Sequence, residues 1–244
     1  MTLPINVISL ASSIDRRERF AKENAHAAFT FFDAVEGKQF KPRMAAMPEL
    51  FAPGLPYTAG AVGCALSHLA LWREVVDSGR PMTILEDDAV LRRDFEEQSA
   101  RVVASLPPGW DIVVWGWNFD SILALNVMPN VSTTVMHFNQ NQLRASMRGF
   151  QAIEGTPAVF RLSECFGTCA YTISPEGARR FMEQCFPLRP FHHYSQALGR
   201  ELPNNGIDIP MIQFYSRSNA YCALPPLAAT RNELSTSLVQ ERAA

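Results

Sequence analysis

The chain has 244 residues, of which 47% are hydrophobic and 19% are charged, so it is long enough for one large domain with a substantial core. A formal net charge of −2 excludes the strongly basic surface typical of nucleic-acid binding, and we expect no nucleic-acid partner. Five cysteines at no paired spacing indicate neither a disulfide framework nor a zinc finger, which is typical of a reducing compartment.

Predicted strands and helices alternate along the first third of the chain. Residues 5–10 (INVISL) are a strand candidate, and Asp15 is a plausible N-cap for the helix that follows. Residues 29–35 (FTFFDAV) predict a second strand. Residues 60–79 carry apolar side chains at three- and four-residue steps, which predicts an amphipathic helix, and the strand MTILE at 82–86 comes next.

The same alternation continues toward the C-terminus. A helix is predicted at 92–106 and a buried strand at 110–117, and another strand and helix lie within 167–185. Residues 118–160 are polar and show no periodicity, which predicts a variable or lid-like insertion. The pattern predicts an α/β fold with a mostly parallel central sheet, in one domain over residues 1–244.

Three adjacent carboxylates, Glu86, Asp87 and Asp88, end one of the predicted strands. In sheets of this class, ligands bind outside the carboxyl ends of the strands. Because side chains alternate along a strand, Glu86 and Asp88 should share a face, where they could hold one hard cation such as Mg²⁺ or Mn²⁺. The alternative is a solvated turn in which Asp88 caps the next helix.

Other candidate residues leave two interpretations open. His68 lies at the border of the apolar arc of the long predicted helix, so it either belongs to the core edge or faces a cleft. Asp208, in the segment GIDIPM, either caps a short helix or projects into a site. Arg16 and Arg17 could solvate a helix face or bind an anion.

Several common classes of protein are excluded by missing signals. The sequence contains no G-x-G-x-x-G, Walker A, G-x-S-x-G or H-E-x-x-H motif. The N-terminus has no basic region before its short apolar run, and no window approaches the length of a membrane span. We expect a cytoplasmic protein with at most peripheral attachment to the inner face of the cell membrane.

Five stretches together resemble glycosyltransferase family 25, which includes bacterial lipooligosaccharide β-galactosyltransferases and collagen galactosyltransferases. The stretches are INVISLASSIDRRERF, FTFFDAVEG, GAVGCALSHLALW, ILEDDAV and FGTCAYTISPEGARRFM, and they occur in the order and spacing of the family. The resemblance covers most of residues 5–185. The later GIDIPM segment and the tail at 223–238 match the family only loosely.

The resemblance implies a GT-A type nucleotide-diphospho-sugar transferase fold and inversion at the anomeric carbon. It also implies a UDP-sugar donor, most often UDP-galactose, and a glycan or lipid-linked glycan acceptor such as lipooligosaccharide or lipopolysaccharide. In the family the acidic motif binds metal, so Glu86 and Asp88 are expected to ligate Mn²⁺ or Mg²⁺ against the diphosphate.

The resemblance further implies residue roles around the donor. The expected donor-binding residues are Ser9, Leu10, Ser12, Arg16, Arg17, Ser67, His68 and Asp87. An inverting transfer needs a general base, for which Asp208 is the first candidate and Glu164 the second. Asp208 could instead be a further metal ligand.

Two other functions remain open at this point. A sugar-nucleotide hydrolase or nucleotidyltransferase could use the same acidic metal site. A catalytically silent family member could act as a binding or scaffold module, although such a protein would have no physical reason to retain clustered acids.

Overall fold

A central sheet with helices on both faces organises the computed structural model, which describes residues 3–129 and 131–231. The strands are β1 (Ile5–Ser9), β2 (Thr30–Asp33), β3 (Met82–Glu86), β4 (Ala89–Leu91), β5 (Ile112–Gly116), β6 (Ile122–Met128), β7 (Ser132–His137), β8 (Ala158–Cys165), β9 (Ala170–Ile173), β10 (His192–Ser195), β11 (Arg200–Pro203), β12 (Ala220–Leu224) and β13 (Ala228–Thr230). The helices are α1 (Ile14–Glu23), α2 (Gly37–Phe40), α3 (Ala59–Ser78), α4 (Phe95–Ser105), α5 (Gln140–Ala145), α6 (Met147–Gln151), α7 (Pro175–Cys185) and α8 (Asp208–Tyr215), with a 3-10 helix at Lys41–Ala46.

The central sheet has nine strands in the order β2-β1-β3-β9-β5-β12-β8-β6-β7. The pairings of β1 with β2, β1 with β3 and β5 with β12 are parallel, and the five other pairings are antiparallel. Six of the nine strands run in the same direction, and β9, β8 and β7 run against them. The predicted α/β class is confirmed, and the interleaved antiparallel strands make the sheet mixed.

Apolar side chains alternate between two cores on opposite faces of the sheet. In β5, Ile112 and Val114 pack into one core, whereas Val113 and Trp115 pack into the other. Helices α3, α7 and α8 cover the first core, and α1 and α4 cover the second. This period-two alternation is the reason that a strand buried on both faces reads as a continuous apolar run.

Helix α3 has clear start and stop signals. The Thr58 hydroxyl accepts a hydrogen bond from the Ala61 backbone N–H at 3.1 Å, and Gly79 ends the helix with a φ of 63°. A left-handed residue at this position is most easily supplied by glycine. The helix predicted at 60–79 is therefore confirmed. Among the described residues, no helix is both long and apolar enough to cross a membrane.

Two local predictions differ from the structure. Helix α1 begins at Ile14 with Ser13 in the N-cap position, so Asp15 lies in the first turn, where its charge favours the helix dipole without capping it. The segment 118–160 is not patternless, because β6, β7, α5, α6 and the start of β8 lie within it. The first residues of β6 are buried, which explains why this segment joins the sheet. Its lid role remains a prediction.

The C-terminal tail is described only in part. Residues 223–231 include the last two residues of β12 and all of β13, whereas the remainder of the stretch that loosely resembles the family, 232–238, lies outside the described residues.

Close packing of α3 against the segment after β2 leaves no room for a side chain at Gly63. A Cβ atom there would lie 2.4 Å from the Val35 carbonyl oxygen. Gly149 in α6 offers the matched contrast, because a Cβ at that position would meet nothing within 4 Å.

We expect Gly63→Ala to lower the free energy of unfolding by about 2 kcal/mol or more through overpacking, which outweighs the helix propensity of alanine. Gly149→Ala, in contrast, should be neutral or stabilising by up to about 1 kcal/mol. Urea denaturation of both variants checks the expectation. Equal effects of the two substitutions would show that the contact between α3 and Val35 is not tight.

Candidate active site

The candidate site lies where β1 and β3 end side by side. The two strands are parallel, with Ile8 opposite Glu86, so Ser9 and Asp87 follow at the same edge. The Ser9 hydroxyl donates to Asp87 Oδ2 at 2.7 Å, and the Glu86 N–H donates to the Cys169 carbonyl at 2.9 Å. The prediction that the acidic motif ends a buried strand is confirmed.

The three carboxylates do not continue the alternation of the strand. Strand β3 ends at Glu86, and Asp87 and Asp88 form the turn that leads into β4. The period-two alternation therefore does not extend to Asp88, because it applies only inside a strand, and the shared ligand role of Glu86 and Asp88 remains a prediction. Each of the three side chains has a different set of partners.

Asp87 is held by groups from β1 and α1. The Arg16 Nε donates to Asp87 Oδ1 at 2.9 Å, and the Arg16 Nη2 contacts the same oxygen. With Ser9 on Oδ2, both carboxylate oxygens are occupied. Burial by itself would lower the pKa of Arg16, but the hydrogen bond to Asp87 and the charges of the three carboxylates raise it. The pair fixes the first turns of α1 against the end of β3.

Asp88 has one satisfied and one unsatisfied oxygen. The Thr230 hydroxyl donates to Asp88 Oδ2 at 2.8 Å. Asp88 Oδ1 is buried and has no hydrogen-bond partner among the described residues. Burial, followed by repulsion from Glu86, raises the pKa of Asp88 to about 6. A buried carboxylate oxygen without a partner is unfavourable unless a cation or water contacts it, so Asp88 fits the ligand role that a metal would require.

Glu86 faces α3 and the loop between β8 and β9. Its Oε1 accepts a hydrogen bond from the Thr168 hydroxyl and lies 3.9 Å from His68 Nε2. Burial raises the pKa of Glu86, but His68, Thr168 and Arg16 together lower it below its ordinary value. Glu86 therefore stays charged under conditions in which Asp88 takes up a proton.

Asp208 is the first residue of α8 and lies near the same carboxylates. The Gly167 N–H donates to Asp208 Oδ2 at 3.0 Å. Burial and then the negative charge of Glu86 raise the pKa of Asp208 above its ordinary value, although backbone hydrogen bonds oppose the change. Asp208 lies in the first turn of α8, after Ile207 in the N-cap position, so the interpretation of Asp208 as the cap is wrong. Asp208 is close enough to Glu86 to interact with its charge, and its projection into a site remains a prediction. A raised pKa suits a general base.

Glu164 has a different environment. Its Oε2 accepts a hydrogen bond from the Ser195 hydroxyl, and its Oε1 accepts one from the Gln196 N–H at 3.1 Å. Both oxygens therefore bind the turn of the β10–β11 hairpin. The contacts of Glu164 show a residue that holds this hairpin, and its role as the second candidate base remains a prediction.

Arg17 contacts the strands beside it. Its Nη2 donates to the Ser9 carbonyl at 2.7 Å and to Asp33 Oδ1 at 2.6 Å, and its guanidinium lies 5.0 Å from the centre of the Phe31 ring. These contacts join α1 to β1 and β2. They place Arg17 next to the site, where its hydrogen bonds among the described residues are with Asp33 and the Ser9 carbonyl and not with the acidic motif at 86–88.

The remaining predicted donor residues are dispersed. Leu10 is half-buried, and the exposed Ser12 donates to Glu36 at 3.3 Å. Ser67 is buried inside α3, where its hydroxyl donates to the Gly63 carbonyl and accepts from the Val35 N–H. The contacts of Ser67 thus stabilise the packing of α3, and the donor roles of these residues remain predictions.

Sequence reasoning missed Thr168, Thr230 and Cys64 as parts of the site. Thr168 lies within the motif FGTCAYTIS, but its residue type alone signals no chemistry. Thr230 lies 142 residues from Asp88 along the chain, and no local pattern could have paired them. Cys64 is four residues before His68 on α3, and this spacing was a usable signal.

Comparison with known proteins agrees with the motifs. The sequence model of "Glycosyltransferase family 25 (LPS biosynthesis protein)" matches residues 2–194. The lacto-N-neotetraose biosynthesis glycosyltransferase LgtB of Neisseria meningitidis serogroup B is 32% identical over 192 residues, covering 76% of this chain and 62% of LgtB. The putative glycosyltransferase R655 of Acanthamoeba polyphaga mimivirus is 31% identical over 122 residues, covering 47% of this chain and 37% of R655.

A mammalian relative matches over a longer stretch. The probable inactive glycosyltransferase 25 family member 3 of Bos taurus is 29% identical over 241 residues, covering 91% of this chain and 36% of the relative. The chain thus spans between 36% and 62% of the length of the bovine protein and LgtB. The family match over residues 2–194, supported by the identity to LgtB, shows that the chain belongs to glycosyltransferase family 25.

Proposed function

We propose that the protein is a metal-dependent, inverting glycosyltransferase that moves a sugar, galactose from UDP-galactose, onto a cell-surface glycan such as lipooligosaccharide or lipopolysaccharide. The observation that carries this proposal is the buried Oδ1 of Asp88, which has no hydrogen-bond partner among the described residues. Asp88 and Asp208 are both close enough to Glu86 for its negative charge to raise their pKa values. Membership of the family supports the sugar donor and the glycan acceptor. The proposed location is cytoplasmic, with at most peripheral attachment to the inner face of the cell membrane.

The proposed metal ligands are Glu86 and Asp88. Carboxylate oxygens are the ligands that Mg²⁺ and Mn²⁺ prefer, and one or two of them suffice when phosphate oxygens complete the coordination. When bound, such an ion supplies positive charge that neutralises the negative charge developing on the UDP leaving group. Asp87 is excluded from this ligand set by its contacts with Arg16 and Ser9.

The proposed general base is Asp208. Its raised pKa favours acceptance of a proton from the acceptor hydroxyl, and the Gly167 N–H fixes the orientation of the carboxylate. Arg16 holds a positive charge next to the carboxylates through its pair with Asp87 and reduces their mutual repulsion. In this proposal Asp208 accepts the proton, the Gly167 N–H orients its carboxylate, and Arg16 holds Asp87 in place.

A catalytically silent role is the second candidate, since the bovine relative is named as probably inactive. Two observations favour activity in this chain. Asp88 keeps an unsatisfied buried oxygen, and Asp208 keeps a carboxylate whose charge is opposed by burial. A sugar-nucleotide hydrolase would release free sugar at a rate that does not depend on the acceptor, which separates it from a transferase.

Asp88→Asn should abolish the stabilisation of the protein by UDP with Mn²⁺. In the wild type, ligand at about 100 times its Kd should raise the free energy of unfolding by about 2.7 kcal/mol, which corresponds to a rise in Tm of about 5 °C or more. The asparagine can still accept the Thr230 hydrogen bond but loses the charge that binds the cation. Transfer should fall at least about 100-fold, as expected for the loss of a metal worth several kcal/mol.

Asp77→Asn is the matched control, because Asp77 is an exposed carboxylate on α3. This variant should keep both the shift and the activity. Thermal unfolding with UDP, GDP, CDP and ADP, each with and without Mn²⁺, measures the effect. No shift with any nucleotide in the wild type would favour the silent role, and a shift with UDP that persists in Asp88→Asn would remove Asp88 from the ligand set.

Stability of the metal-free protein should report the raised pKa of Asp88. The folded state holds the Asp88 proton up to about pH 6, whereas an unfolded aspartate releases it near pH 3.9. The folded state therefore binds more protons in this window, and the contribution of Asp88 to stability falls as pH rises. The advantage of Asp88→Asn over the wild type should grow between about pH 4 and pH 6 and stay constant above pH 7.

Urea denaturation in EDTA at several pH values checks this dependence. Asp77→Asn is the control, and its free energy of unfolding should differ from that of the wild type by the same amount at every pH. An advantage of Asp88→Asn that shrinks as pH rises would contradict the raised pKa.

Asp208→Asn separates the base from the ligand role. A lost general base should lower kcat by about 10²–10⁴-fold and leave the affinity for UDP with Mn²⁺ within a factor of about three. A lost metal ligand would instead remove the thermal shift with UDP and Mn²⁺. Steady-state kinetics and thermal unfolding of the same preparation give both readouts.

Glu164→Gln is the comparison for this experiment. Glutamine keeps an acceptor for the hairpin contacts, so we expect a modest loss of stability and nearly unchanged kcat. A large fall in kcat for Glu164→Gln, with little change for Asp208→Asn, would exchange the two assignments.

A further inference from the structure

A second group of metal-binding side chains adjoins the acidic motif. The ligating atoms of Cys64, His68 and Glu86 all lie within 4.8 Å of one another, and they form the one cluster of three or more such residues within 3–129 and 131–231. Cys64 and His68 are four residues apart on α3, so their side chains lie on the same face of the helix. Glu86 approaches that face from the end of β3.

His68 is oriented toward this cluster and lacks a partner on that side. The residue is fully buried, and its Nε2 has no hydrogen-bond partner in the described structure, although Glu86 Oε1 lies 3.9 Å away. On the other side of the ring, Nδ1 lies 2.8 Å from the Tyr171 hydroxyl, which accepts a hydrogen bond from Trp72 Nε1. A histidine that ligates a metal typically has its second ring nitrogen held by an oxygen in this way.

The one ligand separation that the structure gives individually is near the value for a tetrahedral site. Ligands at about 2.1 Å from a zinc-sized ion are separated by about 3.4 Å in a tetrahedron. The observed 3.9 Å between His68 and Glu86 exceeds this by about 0.5 Å, which a small side-chain rotation can close. Thr168, which donates to Glu86, also lies close enough to the Cys64 thiol to lower its pKa against the larger raising effect of burial, and so neighbours two of the ligands.

We propose that Cys64 Sγ, His68 Nε2 and a Glu86 oxygen form a binding site for a zinc-class divalent ion. Thiolate and imidazole ligands select such ions over Mg²⁺, which prefers oxygen ligands only. Binding forms bonds from sulfur, nitrogen and oxygen to the ion, and the thiol proton is released to solvent. Three protein ligands leave one coordination position open.

The site has a consequence for the acidic motif, and this part rests on the proposed function. Glu86 belongs both to the zinc-class site and to the proposed Mn²⁺ site with Asp88. An ion held by Cys64 and His68 therefore withdraws Glu86 from the donor metal, and we expect Zn²⁺ to inhibit transfer in competition with Mn²⁺.

The test uses Zn²⁺ alone with metal-free, tag-free protein, without nucleotide or acceptor. Wild type should bind one Zn²⁺ per chain in equilibrium dialysis, and Cys64→Ala should bind it at least about 100-fold more weakly, as expected for the loss of a direct ligand. Cys222→Ala is the matched control, because Cys222 is a free, buried thiol in β12 outside the cluster. Both Cys222→Ala and Asp88→Asn should bind like the wild type.

Replacement of Zn²⁺ by Co²⁺ gives an independent readout. We expect thiolate-to-Co²⁺ charge-transfer absorption in the wild type and in Cys222→Ala, and none in Cys64→Ala. His68→Gln should lose the affinity while the thiol is intact, which keeps the test decisive if Cys64→Ala folds poorly.

Unchanged binding in Cys64→Ala, or an equal loss in Cys222→Ala, would overturn the proposal. Loss of binding only in Asp88→Asn would place the ion at the acidic motif instead. The two proposals fail separately, because stabilisation by UDP with Mn²⁺ does not require Cys64 and binding of Zn²⁺ alone does not require a donor.

Discussion

The mutual repulsion of three consecutive carboxylates is the constraint on which the candidate site depends. Adjacent negative charges in a partly buried turn are unfavourable unless each finds its own compensation. Asp87 has the Arg16 guanidinium, Glu86 has hydroxyl and imidazole neighbours, and Asp88 has one hydroxyl and a pKa near 6. The three carboxylates therefore differ in charge and in whether an oxygen is left to contact a ligand, although they are consecutive acidic residues.

This compensation also connects distant parts of the chain. The contact of Arg16 with Asp87 requires β1 and β3 to be parallel neighbours, so that α1 starts beside the end of β3. The contact of Asp88 with Thr230 joins β13 to the turn before β4, with which β13 also pairs. Because the carboxylates are contacted from both ends of the described chain, the fold and the site stabilise each other.

Local patterns predicted the elements, and long-range contacts decided the details. The periodicity of α3 and the apolar run ending at Glu86 follow from burial on defined faces, and sequence spacing reports such faces directly. The strand end at Glu86 was predicted, and the turn after it was one of two alternatives, because three residues carry no signal that decides between them. The strands within 118–160 were not predicted, because the buried first residues of β6 are followed by the mostly exposed residues of β7, which leaves little periodicity to detect. The lid role of this segment stays a prediction. No local pattern could identify Thr230.

The position of Glu86 relates the two proposed metal sites to each other. One carboxylate faces a soft pair of ligands on α3 and shares an acidic motif suited to hard cations. If both proposed sites draw on the carboxylate of Glu86, an ion bound at one of them would weaken ion binding at the other. His68 Nε2 and Asp88 Oδ1 are both buried without a hydrogen-bond partner among the described residues, which is unfavourable, and ion binding at the proposed sites would relieve each of them. In this proposal the choice of ion follows from the ligands, because α3 offers a thiol and an imidazole whereas the end of β3 offers only oxygen.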